Sequence, residues 1–142
     1  MILRIAAATA LLGASLGLAA DEPNLTPGLW EYNTTISFDS EQFPIPDQQD
    51  TSTDCLTAED IAEGNTFVDD MEGCEMVRED LRRDGMDYVM ECAAPDGTSI
   101  TMEAQMTFNG DTATGTISGD METPMGPMKM NINIEGRRID DC

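Results

Sequence analysis

The sequence predicts a mainly β fold: a single curved antiparallel sheet, a half-barrel-like meander of about six strands, with one short helix. Three observations predict it. Short segments of alternating apolar and polar residues recur along the chain. The turn signals R-D-G, P-D-G, N-G and T-P-M-G separate the later ones. The registers that those turns impose bring apolar faces together, which a slip of one residue would undo.

The first stretch stands apart from this fold. MILRIAAATALLGASLGLAA carries one base, Arg4, then an apolar and small-residue run that places Gly17 and Ala19 at −3 and −1 of a cleavage site. Residues 1–20 are therefore expected to be a secretory signal peptide, cleaved after Ala19 or Ala20. Residues 21–142 would form one disulfide-bonded β domain, long enough for one modest core. The apolar run is at the short edge for a bilayer span, with no stop-transfer segment after it and no following cysteine to take a lipid. The expectation is a periplasmic or secreted protein without a transmembrane anchor.

The elements follow in chain order. GLWEYNTTISF alternates, with Trp30, Tyr32, Ile36 and Phe38 on one face. Trp30 is expected to anchor the core, with ligand stacking on an open face as the other role. SEQFPIPDQQDTSTD is polar and broken by proline, and predicts a surface loop. LTAEDIAEG predicts a short helix with Thr57 as N-cap, Asp60 completing a capping box, Ile61 facing the core and Gly64 as the stop. The meander then comprises CEMVREDLR, MDYVMECAA, TSITMEAQMTF, DTATGTISGDM and MKMNINIE.

Turn chemistry sets the registers. Asn109-Gly110 as a tight turn pairs Phe108 with Asp111, hence Met106 with Ala113 and Met102 with Ile117. Pro95-Asp96-Gly97 pairs Ala94 with Thr98, hence Cys92 with Ile100, Met90 with Met102 and Tyr88 with Ala104. Arg83-Asp84-Gly85 puts Met76 opposite Cys92 and Arg78 opposite Met90. A turn at Pro124-Met125 pairs Met121 with Met128, Gly119 with Met130 and Ile117 with Ile132. The methionines of M-E-T-P-M-G-P-M-K-M thus fall mostly on a strand face, where a flexible thioether fills irregular gaps. Only Met125 and Met121 lie toward the turn, where sulfurs would be free to meet copper.

Charge and composition exclude several functions. The chain has 28 acids against 7 bases, a formal charge of −21, which repels nucleic acid and anionic membrane. It contains no histidine, which removes Ser-His-Asp and Cys-His catalysis and every His-ligated metal site. Asp69-Asp70 and Asp140-Asp141 are candidate calcium ligands but lack the spaced D-x-D-x-D-G loop. The four cysteines show no C-x-x-C spacing and predict disulfides. Cys74 and Cys92 flank the R-D-G hairpin on one face, which favours Cys74–Cys92 and, by elimination, Cys55–Cys142 among the connectivities allowed.

The order T-P-G-L-W-E, D-C-L-T-A-E-D, R-R-D-G and G-R-R-I-D-D-C resembles the bacterial domain-of-unknown-function 3617 family from Pro27 to Cys142. Arg138 and Ile139 stand where such proteins often carry an aromatic residue. The resemblance implies an exported, cysteine-bearing periplasmic protein and transfers no catalytic residue. The function expected is a non-enzymatic envelope protein without cofactor. Its apolar ligand face would include Trp30, Tyr88, Met102, Met106 and Met130, open to a lipid-like ligand or a protein partner. The alternative is a metal-associated protein, using turn methionines for copper or the acidic surface for calcium.

Overall fold

The computed structural model describes residues 22–64 and 72–142, so the expected signal peptide lies outside the described residues. The elements in order are β1 (Gly28–Asp39), β2 (Gln48–Leu56), α1 (Ala58–Glu63), β3 (Cys74–Arg82), β4 (Gly85–Ala93), β5 (Ser99–Phe108), β6 (Thr112–Thr123) and β7 (Gly126–Asp140). The strands form one antiparallel sheet in the order β2-β1-β7-β6-β5-β4-β3. From β3 to β7 the chain is a meander. β7 then pairs with β1, which adds the first hairpin to the far side.

The sheet has seven strands rather than about six, because half of the expected loop is β2. Nine residues pair with β1, from Gly28↔Leu56 to Ile36↔Gln48. Only Leu56 of β2 is buried, so the strand has no alternation by which to be recognised. Its acidic and hydroxyl side chains suit an edge that must resist pairing with other chains. Thr51 adds a cross-strand bond, donating its hydroxyl to Asn33 Oδ1 at 2.9 Å.

Two of the four turns impose the expected register. β4 and β5 pair Cys92 with Ile100 and Met90 with Met102, and β6 and β7 pair Met121 with Met128 around Pro124-Met125. The other two registers are corrected, by two residues along β5–β6 and at Met76, and by one residue from Arg78 to Arg82. At Asn109-Gly110 the loop is longer, because Asn109 donates its N–H to the Thr112 carbonyl. Gly110 in that loop exchanges backbone bonds with Asn24 and Thr26 of the N-terminal segment. Phe108 therefore faces Ala113, and Met106 faces Gly115. At Arg83-Asp84 the turn is tight, pairing Arg82 with Gly85, and a bulge between Met76 and Arg78 then brings Met76 opposite Met90. A shift of two preserves the face of every side chain, so the apolar face survives along β5–β6 and at Cys74 and Met76. From Arg78 to Arg82 the shift is one, which sets Arg78 opposite Val89 rather than Met90 and Leu81 opposite Met86.

The core gathers at the end of the sheet where the N-terminal segment, the β3–β4 and β5–β6 turns and α1 converge. Trp30, Phe108 and Met86 are fully buried there, with Leu25, Leu56 and Ile61 packed in the same cluster. Trp30 donates its indole N–H to the Thr26 carbonyl at 2.9 Å, which satisfies its one polar atom. Helix α1 has the predicted capping box between Thr57 and Asp60, and Gly64 closes it in the left-handed conformation. Gly64 lies so close to β3 that a Cβ there would stand 2.7 Å from Leu81 Cδ2.

Both predicted disulfides are present, Cys74–Cys92 within the β3–β4 pair and Cys55–Cys142 between β2 and the chain end. Their sequence separations are 18 and 87 residues. Loop-closure entropy then gives about 3 kcal/mol for the first and about 4–5 kcal/mol for the second.

Among the described glycines Gly85 meets the closest backbone: a Cβ there would fall 2.2 Å from the Met106 carbonyl oxygen. Gly85→Ala is therefore expected to lower the unfolding free energy by about 1–3 kcal/mol in urea titration. Thr116→Ser, on the exposed face of β6, should stay within about 0.5 kcal/mol of the parent.

Candidate functional site

Alternation divides the sheet into two chemically distinct faces. One carries Glu31, Asn33, Thr101, Gln105, Thr114, Thr116 and Asn133 and is largely hydrated. Arg137 reaches across it to Glu31 with two hydrogen bonds, of 3.0 and 2.7 Å. The opposite face carries Trp30, Phe38, Tyr88, Met102, Met106, Met121, Met128 and Met130. Of the expected ligand-face residues, Trp30, Tyr88, Met102 and Met106 are buried within the core cluster, and Met130 is partly buried against it.

The other end of this face is different. The β1–β2 connection (40–47), the β4–β5 turn and the β6–β7 turn meet there, because antiparallel pairing puts all of them on one side. Between them lie two adjoining cavities of about 580 and 420 Å³. Phe38, Met121, Phe43 and Met128 line the first. Phe43 and Met128 also line the second, with Met125, Asp96 and Thr98. The connection that leaves β1 thus shares a cavity with the β4–β5 turn, although β7 and β6 lie between β1 and that hairpin in the sheet.

Phe43 is the residue of this site that sequence reasoning missed. It is 54% exposed on the β1–β2 connection, within the segment read as a plain surface loop. Its signal was F-P-I-P, an apolar insertion between prolines in a polar stretch. Met121 sits within β6 opposite Met128, and Met125, at the turn, is 67% exposed.

The rim is acidic. Asp39, Glu41, Asp120 and Glu122 are among the residues bordering the first cavity and Asp96 the second. The strand registers set Asp39, Asp120 and Glu122 on the hydrated face, beside Thr101 and Lys129. Lys129 is the one cation among the lining residues, and its ammonium lies 3.7 Å from Asp120. The backbone N–H of Thr98 donates to Asp96 at 2.9 Å, which holds that carboxyl below its usual range and keeps it charged. Among the described residues no group of three or more His, Cys, Asp or Glu is placed to hold a metal ion. Asp141 pairs with Arg138, while Asp69 and Asp70 lie outside the described residues. Among the described residues no helix is long and apolar enough to cross a membrane.

A family model described as "Protein of unknown function (DUF3617)" matches residues 25–142, and the chain belongs to that family. No curated protein and no solved structure matches the chain.

Between the open and closed ends, Tyr32 stacks on Trp30 with ring centroids 6.2 Å apart and planes 17° from parallel. Burial, reinforced by the charge of Asp54, pushes its phenol from 10.0 up to about 12, and burial moves Tyr88 the same way. A raised folded value means that the unfolded chain ionises first. The stability this contributes is intact below pH 10 and falls as pH rises toward about 12. Alkaline unfolding should therefore set in across that window, and Tyr32→Phe should shallow the loss when stability is measured against pH.

Proposed function

We propose that this protein is a non-enzymatic, exported binding protein of the bacterial envelope that takes an apolar or lipid-like ligand at the mouth of a curved, half-barrel-like sheet. The observation that carries the reading is the contrast between the two ends of one face. One end is filled by Trp30, Met86 and Phe108, while the other holds adjoining cavities of about 580 and 420 Å³ walled by Phe38, Phe43, Met121 and Met128. Concave sites with predominantly apolar walls are where small ligands bury most of their surface.

Curvature is supported by two contacts that a flat sheet of this order would keep apart. Helix α1 leaves the β2 edge, yet its cap Gly64 lies against Leu81 of β3, the opposite edge. Residues 40–43 share a cavity with Asp96 and Thr98 of the β4–β5 turn. Export is supported by residues 1–20 and by two disulfides, which persist in oxidising compartments. The non-enzymatic reading is supported by the lack of histidine in the chain, which withdraws the commonest general base. Met128, shared by both cavities, supplies an adaptable wall suited to ligands of varied shape.

The neutral fluorophore N-phenyl-1-naphthylamine tests this directly. The mature protein should enhance and blue-shift its emission with saturable binding. Phe38→Asp with Met128→Asp should weaken binding at least about tenfold, since each places a charge on an apolar wall. Thr114→Asp, on the hydrated face, should leave it unchanged. Absence of saturable binding, or equal loss with Thr114→Asp, would contradict the reading.

A further inference from the structure

We infer that the open end of the apolar face is an oxidant-sensitive modification site. A hydroperoxide converts Met121, Met125 and Met128 to sulfoxides, and the apolar ligand is released from a fold that stays intact. The inference rests on the binding reading above and adds its regulation. The methionines divide by position. Met86, Met90, Met102 and Met106, in the core cluster, are 0, 3, 8 and 4% exposed. Met125 is 67% exposed at the β6–β7 turn, and Met121 and Met128 are partly exposed. These three line the cavities, Met121 the first, Met125 the second and Met128 both.

No better reductant competes with these sulfurs. All four cysteines are joined in disulfides, so the chain offers a peroxide no thiol. Its one tryptophan, Trp30, is fully buried. In the step itself, a lone pair on the thioether sulfur attacks the terminal oxygen of the hydroperoxide. An S–O bond forms as the O–O bond breaks, and the proton passes to the leaving oxygen, which departs as water or an alcohol. Sulfur loses two electrons and the peroxide gains them. The product replaces an adaptable apolar side chain with one that carries a hydrogen-bond acceptor. An apolar ligand lying over such a sulfoxide strips water from its oxygen and offers no donor in return, so binding weakens. The filled end is spared because its methionines are out of reach of solvent. The site is switched off while the core holds.

Treatment with hydrogen peroxide, removed by catalase before titration with N-phenyl-1-naphthylamine, tests this. Peptide mass mapping should find sulfoxide at Met125 first, then at Met121 and Met128, with Met86, Met90, Met102 and Met106 unmodified. Affinity for the fluorophore should fall at least about tenfold. The urea midpoint of unfolding should stay where it was. In a variant carrying Met121→Leu, Met125→Leu and Met128→Leu, peroxide should leave the affinity at that variant's own untreated value. Full affinity with all three methionines as sulfoxides overturns the inference while the apolar site stands. A fall in the urea midpoint alongside the loss of binding overturns it too, as does a peroxide response that persists in the triple variant. If the untreated protein shows no saturable binding, this inference and the reading beneath it both fall.

Discussion

The structure is governed by a shortage of cover. Strands β1, β7, β6, β5 and β4 present an apolar face, yet the described chain supplies one helix, of six residues, to lie against it. Burying each large side chain contributes about 1.5–3 kcal/mol, so the fold gains most by closing that face over itself at one end. A single core of this size cannot be spread evenly over so wide a sheet.

The closed end shows how the cover is concentrated. Leu25 and Ile61 enter the cluster from outside the sheet, from the N-terminal segment and α1. Backbone bonds from Asn24 to Arg83 and to Gly110 tie the same segment to the turns of two different hairpins. Cys55–Cys142 holds the outermost strand to the chain end beside it. At the opposite end the one disulfide found there among the described residues, Cys74–Cys92, ties β3 only to its neighbour β4. There Phe38, Met121 and Met128 keep partial exposure, and the β1–β2 connection arches over them with Phe43. The ligand site proposed here is the part of the apolar face that the chain does not cover.

Much of this was legible because side-chain alternation and turn residues act locally. Thr57, Asp60, Ile61 and Gly64 define α1 without reference to the rest of the chain, and Pro95-Asp96-Gly97 and Pro124-Met125 fix two registers. What was illegible depended on distant partners. The loop at Asn109 lengthens because Gly110 bonds to Asn24, far away in sequence, and β2 exists because β1 offers an edge. The site was half legible. Met130, Met102 and Trp30 were placed on the right face, but which end of that face is filled depends on where α1 and the N-terminal segment land. No residue pattern within the strands encodes that.

The central claim is that one end of the apolar face is sealed and the other is open before any ligand binds. Methionine supplies the probes, since the face carries them at both ends. With ¹³C-labelled methionine methyls, a soluble paramagnetic agent should strongly relax Met121, Met125 and Met128 in the ligand-free protein. It should leave Met86, Met90 and Met106 nearly untouched, as befits side chains with 0, 3 and 4% exposure. Equal relaxation of Met86 and Met128, whether both strong or both weak, would contradict the account.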